Sequence, residues 1–455
     1  MSVSKEITRL EHSAVKLTLK VDKEDVRGQY DELIGNYVKT LQIPGFRKGK
    51  VPREVLERKF GDSLRDEALN LIFGKTLSGV LEDESFPKDD QPLPYSTPRI
   101  EEEPVLDFEK DLVFSVVYDA LPRFTMGPWK GLEVEVPDVS VSGEDLDREL
   151  EELRERNAVV LDREDGDKAA KDDVVTVNYH ELDGEKNPVK GSEREDFVFT
   201  LGSGYNIYDF DDDVAGMKKS ETKDIVKTFP EDYKYRELAG KTVTVRVTLT
   251  ALKEKKLPDL DDDLAQDVDE KYNTLDDLKN SIRERLSKNL EKRLRDITIS
   301  NILEKILETT PIDLPESMLR LELDARWRNS ARNYNVSPEE LEKSLVDAGQ
   351  DPEKIREEWK GDAEKALKSR LIVETLMEDL GLDVSEEETE KEIENIASRS
   401  EIPTEDLKKY YEQENAKEQL QEDIKEQKLF DLLLAENSVK KGEQKKYLDL
   451  MARNG

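Results

Sequence analysis

The first regular pattern along the chain is an alternation of apolar and polar residues over residues 14–20. It places Val15, Leu17 and Leu19 on one face and predicts a β-strand. Over residues 24–42 the apolar spacing changes to that of a helix. The apolar stripe of this predicted helix consists of Val26, Tyr30, Leu33, Tyr37 and Leu41.

A second helix is predicted to follow after a short loop. Pro52 suits the first helical position because that position leaves its N–H unpaired, and Leu56 and Leu64 continue the apolar stripe. Residues 112–118 predict a strand that returns beside the first one. These elements indicate an α+β domain over residues 1–123, in which the two helices form a hairpin.

A compact β module is predicted after a connector. Prolines interrupt the connector, residues 124–162, which also contains a short charged helix from Leu146 to Arg156. From about residue 163 the pattern is that of short strands, and the module extends over residues 163–256. The predicted strands are residues 174–179, 196–201, 223–229 and 242–252.

The remainder, residues 257–455, has helical periodicity almost throughout. Leucine and isoleucine spacing predicts one long helix over residues 275–297, and Pro338 opens another helix with Ser337 as its N-cap. Further helices are predicted over residues 352–380 and from Pro403 to about Glu436. The predicted fold is therefore a multidomain α+β chain with an extended all-α C-terminal domain.

The loop between the two N-terminal helices, residues 43–52, is called the basic loop. Its cations are Arg47, Lys48 and Lys50, and Arg53 follows directly. Turn residues frame it, and Phe46 is its one large apolar side chain. In a chain with a net charge of -35, such a loop favours docking onto an anionic surface such as ribosomal RNA. The alternative interpretation is an ordinary solvated turn between helices.

Composition narrows the class of protein. Charged residues make up 39% of the chain and hydrophobic ones 35%, which favours exposed helices around modest cores. The chain has no cysteine, which excludes disulfides and thiol chemistry and fits a reducing cytosol. No signal peptide precedes the first strand, and no apolar run approaches the ~18 residues that a membrane span needs. A cytoplasmic protein without membrane contact is predicted.

The usual catalytic groups are not found in the sequence. His12 and His180 are the two histidines, and neither has the spacing of a metal ligand. No nucleophile elbow, phosphate loop or dinucleotide fingerprint is present. We therefore predict neither a metal nor a cofactor, and any reaction has to proceed without both.

Peptidyl-prolyl isomerisation is such a reaction, because its barrier of about 20 kcal/mol comes from twisting an amide. A pocket of aromatic and aliphatic side chains lowers that barrier by binding the twisted, desolvated amide. The β module is rich in suitable residues, although a small domain also needs apolar residues for its core. They are Tyr179, Phe197, Phe199, Ile207, Tyr208, Phe210, Phe229, Tyr233 and Tyr235.

A family resemblance joins these features. One segment of the chain resembles the ribosome-docking motif of bacterial trigger factor. It is Gly45-Phe46-Arg47-Lys48-Gly49-Lys50-Val51-Pro52. The β module resembles the FKBP-type isomerase domain of that family, and the helical remainder is similar to its client-binding domain. The resemblance covers the full length. It implies a chaperone that docks at a ribosomal protein and RNA near the tunnel exit, binds nascent polypeptides, isomerises X-Pro bonds and supports folding and export.

The resemblance also implies particular residues. Docking contacts fall on Phe46, Arg47, Lys48 and Lys50, while Gly45, Gly49 and Pro52 shape the loop. The isomerase pocket, called the aromatic pocket below, consists of Tyr179, Phe197, Ile207, Phe210, Phe229 and Tyr233.

The chain departs from the family pattern around this pocket. Tyr179-His180-Glu181 stands where the family usually has Tyr-Thr-Gly or Phe-Thr-Gly, and Ile207-Tyr208-Asp209-Phe210 replaces Ile-Pro-Gly-Phe. Expected aromatic residues are absent near Val189 and at Val245. These differences predict a wider, more polar cleft. The alternative function is therefore the same chaperone with a weak or inactive isomerase.

Two other classes remain as alternatives. The acidity favours a non-catalytic chaperone or adaptor for basic proteins. A coiled-coil adaptor is disfavoured because the leucines of residues 275–297 do not keep a heptad and prolines separate the helices. Dimerisation of the free protein stays open. Candidate client-facing residues, many of which a helical core also needs, are Met318, Leu319, Leu323, Trp327, Leu371, Met377, Leu432 and Leu433.

Overall fold

The computed structural model of the chain describes residues 2–102, 104–164, 166–400 and 402–452. The chain divides into two compact units. The first is formed by Met1–Val136 and Asp296–Lys441, and the second by Pro137–Arg295 and Gly442–Gly455. The domain boundaries at residues 123, 162 and 256 stay a prediction.

Strands and helices alternate up to residue 256, and helices dominate afterwards. The strands are β1 (Val3–Arg9), β2 (Ala14–Val21), β3 (Arg99–Ile100), β4 (Leu112–Asp119), β5 (Glu133–Asp138), β6 (Val159–Asp162), β7 (Val174–Leu182), β8 (Arg194–Thr200), β9 (Thr222–Thr228), β10 (Thr242–Lys256) and β11 (Ser438–Gln444). The helices are α1 (Lys23–Thr40), α2 (Arg53–Leu81), α3 (Gly143–Arg156), α4 (Asp211–Val214), α5 (Asp262–Val268), α6 (Leu275–Thr309), α7 (Glu316–Asn333), α8 (Pro338–Asp347), α9 (Pro352–Asp379), α10 (Glu386–Ser400), α11 (Thr404–Tyr411), α12 (Glu414–Glu436) and α13 (Tyr447–Met451).

In the first unit, an antiparallel sheet runs in the order β1-β2-β4-β3. The predicted alternation in β2 is confirmed, since Leu17 and Leu19 are fully buried on its core face. The predicted return of β4 beside β2 is confirmed as well. Strand β1 was not predicted, because Val3 and Ile7 are its only apolar residues and both are half-buried.

Helices α1 and α2 pack together as the predicted hairpin. Asp22 caps α1, and its side chain accepts a hydrogen bond from the Glu24 N–H at 2.8 Å. Tyr30 and Leu33 of the predicted stripe are buried against Leu56 of α2. The hairpin therefore has its own apolar core, and this core lies directly below the basic loop.

The turn between β1 and β2 contacts the segment that precedes α7. His12 and Ser13 both have left-handed φ angles, 54° and 53°. The His12 N–H donates to the Asp313 carboxylate at 2.5 Å, and the Ser13 hydroxyl donates to the Asp313 carbonyl at 2.6 Å. These bonds join the N-terminal sheet to the helical part of the first unit.

The second unit contains the β module. Its sheet has the order β6-β10-β7-β8, and β9 pairs with residues 242–248 of β10, a stretch that overlaps the one paired with β7. The long β10 thus pairs with β6, β7 and β9, and a bulge lies between Leu249 and Ala251. The predicted strands of the module are confirmed. Strand β6 was not predicted.

The helical region follows the prediction in part, and helices α5, α7, α10 and α13 were not predicted individually. Ser337 caps α8 through a capping box with Glu340, as expected, and α6 extends beyond its predicted end to Thr309. The single last helix predicted from Pro403 is wrong, since two helices, α11 and α12, occupy that stretch. Strand β11, which pairs with β5, was not predicted either. The α+β multidomain class is confirmed.

Candidate functional site

The basic loop is fixed at both ends by buried side chains. Ile43 is 5% exposed and Val51 is 3% exposed, and both belong to the apolar core of the α1–α2 hairpin. Every residue between them is exposed, including Phe46 at 37%. The fold thus holds the two ends of the loop in the protein and leaves its central residues in solvent.

Two glycines give the loop its shape. Gly45 has a φ of 93° and Gly49 has a φ of 81°, a region that glycine occupies without steric cost. Two turns close the loop: the Phe46 N–H donates to the Ile43 carbonyl at 3.0 Å, and the Lys50 N–H donates to the Arg47 carbonyl at 2.9 Å. The predicted shaping role of the glycines agrees with this geometry.

The cations of the loop differ from the cation beside it. Within the described part of the chain, Arg47, Lys48 and Lys50 form no ion pair and no side-chain hydrogen bond. Arg53, by contrast, is paired with Asp31 at 2.5 Å and with Glu57 at 2.9 Å. The loop therefore offers three free cations, and Arg53 has a structural role in the hairpin.

The predicted aromatic pocket lies at one end of the β module. Tyr179 comes from β7, Phe197 from β8, and the others from the segments before α4 and after β9. The Tyr179 ring lies 5.6 Å from that of Phe197 and 5.5 Å from that of Phe210. The Phe229 and Tyr233 rings form a second pair at 4.5 Å. The structure thus brings the predicted aromatic residues together in these two groups.

Exposure separates these residues into two classes. Tyr179 is 6% exposed, Phe229 is 5% exposed and Phe210 is fully buried, so they form part of the module core. Ile207 is 37% exposed, while Phe197 and Tyr233 are half-buried. Only the second class offers surface to a ligand without rearrangement.

Tyr208, which the family pattern does not include, lies among the pocket rings. Its ring is 5% exposed, lies 5.6 Å from that of Tyr179 and stacks at 6.5 Å on that of Phe210. Its hydroxyl donates to Glu181 Oε1 at 2.8 Å. Burial, and then this hydrogen bond, raise the pKa of Tyr208 above its usual range, so the phenol stays protonated. Tyr208 thus adds a packed ring and Glu181 a polar group among the pocket residues, and the wider, more polar cleft stays a prediction.

The segment before α4 is fixed by polar contacts. The buried Asp211 carboxylate accepts from the Gly202 N–H at 2.8 Å and from the Asn206 side chain. The Phe210 N–H donates to Asn206 Oδ1 at 3.0 Å. Asp209 has a left-handed φ of 49°. It therefore takes a conformation that favours glycine, at the position where the family usually has one.

Sequence reasoning named Tyr208 among the suitable aromatic residues of the module but left it, and Glu181, out of the aromatic pocket. Both lie at departures from the family pattern, which was the available signal. The hydrogen bond between them is a tertiary contact across 27 positions and has no counterpart in local periodicity.

The proposed client-facing residues are mainly core. Met318, Trp327, Leu371 and Leu433 are buried, and Leu319, Leu323, Met377 and Leu432 are half-buried. Other large apolar side chains of the helical region are exposed instead. They include Leu321, Tyr334, Val346, Ile402 and Tyr410.

No group of three or more His, Asp or Glu side chains among the described residues is arranged to hold a metal ion. No helix in the same residues combines the length and apolarity needed to cross a membrane.

Models of known protein families match three parts of the chain. The family model described as bacterial trigger factor protein matches residues 1–153, and the model of its C-terminus matches residues 274–435. The model of the FKBP-type peptidyl-prolyl cis-trans isomerase matches residues 166–250, which contain the whole aromatic pocket.

A protein named Trigger factor from Treponema denticola is 44% identical over 451 residues, which cover 99% of this chain and 100% of the relative. The chain belongs to the trigger factor family. Trigger factor from Treponema pallidum strain Nichols is 36% identical, with 99% of both chains covered. Trigger factor from Borrelia turicatae is 33% identical, with 95% of both chains covered. The resemblance inferred from the two motifs is thereby confirmed.

A solved structure shares the fold. It is described as "Promiscuous Substrate Recognition in Folding and Assembly Activities of the Trigger Factor Chaperone". Its TM-score is 0.52 at 24% sequence identity, and the match covers 95% of this chain and 99% of that chain. This trigger factor family member therefore has the α+β multidomain architecture of the solved chaperone.

Proposed function

We propose that this protein is a cytoplasmic, ribosome-docked chaperone that binds nascent polypeptides near the tunnel exit, keeps them open and isomerises X-Pro bonds, supporting folding and export. The observation that carries the proposal is the basic loop: three unpaired cations and one exposed phenylalanine, held on buried anchors, in a chain of net charge -35.

The loop suits a surface made of both RNA and protein. Arg47, Lys48 and Lys50 are free to contact phosphates, and such contacts release counterions and position a protein without reading sequence. Phe46 supplies an apolar contact for a pocket in a ribosomal protein of the large subunit. The acidity of the rest of the chain disfavours RNA binding elsewhere, so docking is confined to the loop.

The helical region suits weak and varied binding of unfolded chains. Its exposed apolar residues, such as Tyr334 at 71% and Val346 at 57%, lie within a strongly charged sequence. Scattered apolar contacts of this kind bind many sequences without strong preference. A charged surround keeps the apolar patches small and so limits self-association of the chaperone.

The aromatic pocket suits isomerisation because that reaction needs no acid, base or nucleophile. The half-buried Phe197 and Tyr233 and the exposed Ile207 offer an apolar surface for a prolyl ring. Binding there strips water from the amide and favours its twisted state over the planar one.

Co-sedimentation with ribosomes tests the docking function. Replacing Phe46, Arg47 and Lys48 with alanine should abolish co-sedimentation and leave the fold intact. The matched control replaces Lys234, Tyr235 and Arg236, which carry the same charge and an equally exposed ring, 38% against 37%. The control should co-sediment like the wild type, and unchanged co-sedimentation of the loop variant would overturn the docking proposal.

A protease-free assay of a Phe-Pro peptide with the full chain tests the isomerase function. Phe197→Ala should lower the rate, while Val198→Ala, on the opposite sheet face and 57% exposed, should not. If the wild-type chain gives no acceleration, the second candidate holds, a docked chaperone with an inactive module. The burial of the pocket by Tyr208 favours that candidate.

A further inference from the structure

Tyr208 packs against two rings of the aromatic pocket, those of Tyr179 and Phe210. Its ring is nearly parallel to that of Phe210, at an interplanar angle of 10°, and meets that of Tyr179 edge-on at 77°. These are the geometries in which aromatic rings attract each other. The ring is 95% removed from solvent although it comes from a loop, which makes it part of the module core.

Glu181 is placed to hold this ring. Along β7 the buried residues Val175, Val177 and Tyr179 alternate, and Glu181, two positions further, is half-buried next to the buried Leu182. Its cross-strand partner on β10 is the fully buried Val245. A partly desolvated carboxylate is stabilised by a donor, and the Tyr208 hydroxyl supplies one at 2.8 Å.

The backbone on either side of Tyr208 is held separately from its side chain. The Tyr233 hydroxyl donates to the Ile207 carbonyl at 3.0 Å, and the Asp209 N–H donates to the Asn206 carbonyl at 3.3 Å. Rotation of the Tyr208 ring about its own side-chain bonds would therefore break neither of these backbone contacts. The Glu181 hydrogen bond and the ring contacts oppose that rotation.

We propose that Tyr208 is an internal occupant of the aromatic pocket, held there by Glu181. A prolyl peptide first contacts the accessible side chains of Phe197, Ile207 and Tyr233, and it reaches the buried rings of Tyr179 and Phe210 only after the Tyr208 ring has left. The inference rests on the proposed prolyl-peptide site and adds to it the pair of residues that limits access. Tyr208 and Glu181 are positioning residues and take no part in the twisting of the amide.

The size of the effect follows from the linkage between opening and binding. The apparent dissociation constant of the peptide equals the intrinsic one divided by the fraction of open pocket. Removing one hydrogen bond to a charged acceptor makes opening easier by roughly tenfold. Variants that lose the bond should therefore bind the peptide about tenfold more tightly.

The experiment measures the affinity of the full chain for a fluorescently labelled Phe-Pro peptide by anisotropy. A matched peptide with alanine in place of proline reports binding elsewhere on the chaperone, so the difference between the two peptides reports the pocket. Glu181→Ala removes the acceptor, and Tyr208→Phe removes the donor but keeps the ring. The control is Tyr205→Ala, which deletes a ring that is 76% exposed three residues earlier.

Both variants should bind the proline peptide about tenfold more tightly than the wild type, and the control should match the wild type. Circular dichroism shows whether each variant is folded, and Glu181→Ala keeps the test valid if Tyr208→Phe is not. Affinities of both variants within twofold of the wild type would overturn the proposal.

The isomerisation rate, measured on the same samples, separates this inference from the proposed enzyme function. If the two variants bind the proline peptide more tightly but no sample accelerates isomerisation, the proposal for Tyr208 is supported and the proposed isomerase activity is overturned. Acceleration by the wild type that neither variant increases keeps the isomerase and overturns the occupant. If no folded sample binds the proline peptide in preference to the alanine peptide, both proposals fail.

Discussion

In the basic loop the side chains available for recognition are exposed and unpaired, whereas in the aromatic pocket most of them are buried against one another. Phe46 is 37% exposed and Phe210 is fully buried, although both are phenylalanines at a proposed binding site. The loop leaves packing to Ile43 and Val51, while the pocket uses the same residues for packing and for recognition. Burial therefore separates a surface kept ready for a partner from one that must rearrange first.

The largest expected effect compares the two phenylalanines. Phe210→Ala should lower the free energy of unfolding of the β module by about 3–5 kcal/mol, because it leaves a cavity in a packed core. Phe46→Ala should change stability by less than about 1 kcal/mol. Denaturant unfolding of both full-length variants measures this difference. Equal losses would show that Phe46 belongs to a core as well.

Salt dependence tests the free cations. If Arg47, Lys48 and Lys50 contact RNA phosphates, the logarithm of the ribosome association constant should fall linearly with the logarithm of salt concentration. Three contacts give a slope no steeper than about −3. Arg47→Ala should make the slope shallower by about 1. Arg53→Ala is the control, because this residue is already paired with Asp31 and Glu57. A slope that Arg47→Ala leaves unchanged would exclude a phosphate contact there.

The glycines of the loop should give the next effect. A left-handed φ costs other residues about 1–2 kcal/mol, so Gly45→Ala and Gly49→Ala should each weaken ribosome binding about five- to thirtyfold. No atom lies within 4 Å of a methyl group built on either glycine, so the cost comes from the backbone alone. Gly35→Ala, in helix α1 with equally open space, should keep wild-type affinity. Wild-type binding by the two loop variants would show that loop shape is unimportant.

The smallest expected effect concerns Tyr208. Burial raises its pKa in the folded state, so the stability that its neutral phenol contributes is complete below the unfolded value near pH 10. This contribution is lost as the pH rises above 10. The unfolding free energy of the β module should therefore fall more steeply with pH in the wild type than in Tyr208→Phe. Equal slopes would contradict the closed position of the phenol.

The basic loop was predictable because its information is local. Its turn residues, cations and single phenylalanine are contiguous, and the helices on both sides show clear periodicity. Sequence reasoning missed only that Arg53 is paired, because Asp31, one of its partners, lies 22 positions away on the other helix.

The aromatic pocket was predictable in part. Its residue types followed from the family motif, but the packing of Tyr208 against Tyr179 and Phe210 and its hydrogen bond to Glu181 are tertiary contacts that local sequence does not show. Periodicity also failed where it is weak. Strand β11 has one aliphatic residue, Val439, and the break between α11 and α12 contains neither proline nor glycine.

The buried anchors Ile43 and Val51 also separate the residues constrained by stability from those constrained by partner binding. They confine the stability requirement to the two ends of the basic loop, so the exposed residues between them can change with the partner without endangering the fold. Free energies of mutations in the exposed part should add to those in the hairpin core, because such sites share no packing partner. For protein engineering, the exposed residues of the loop can therefore be exchanged for another binding sequence, provided that Ile43 and Val51 are kept.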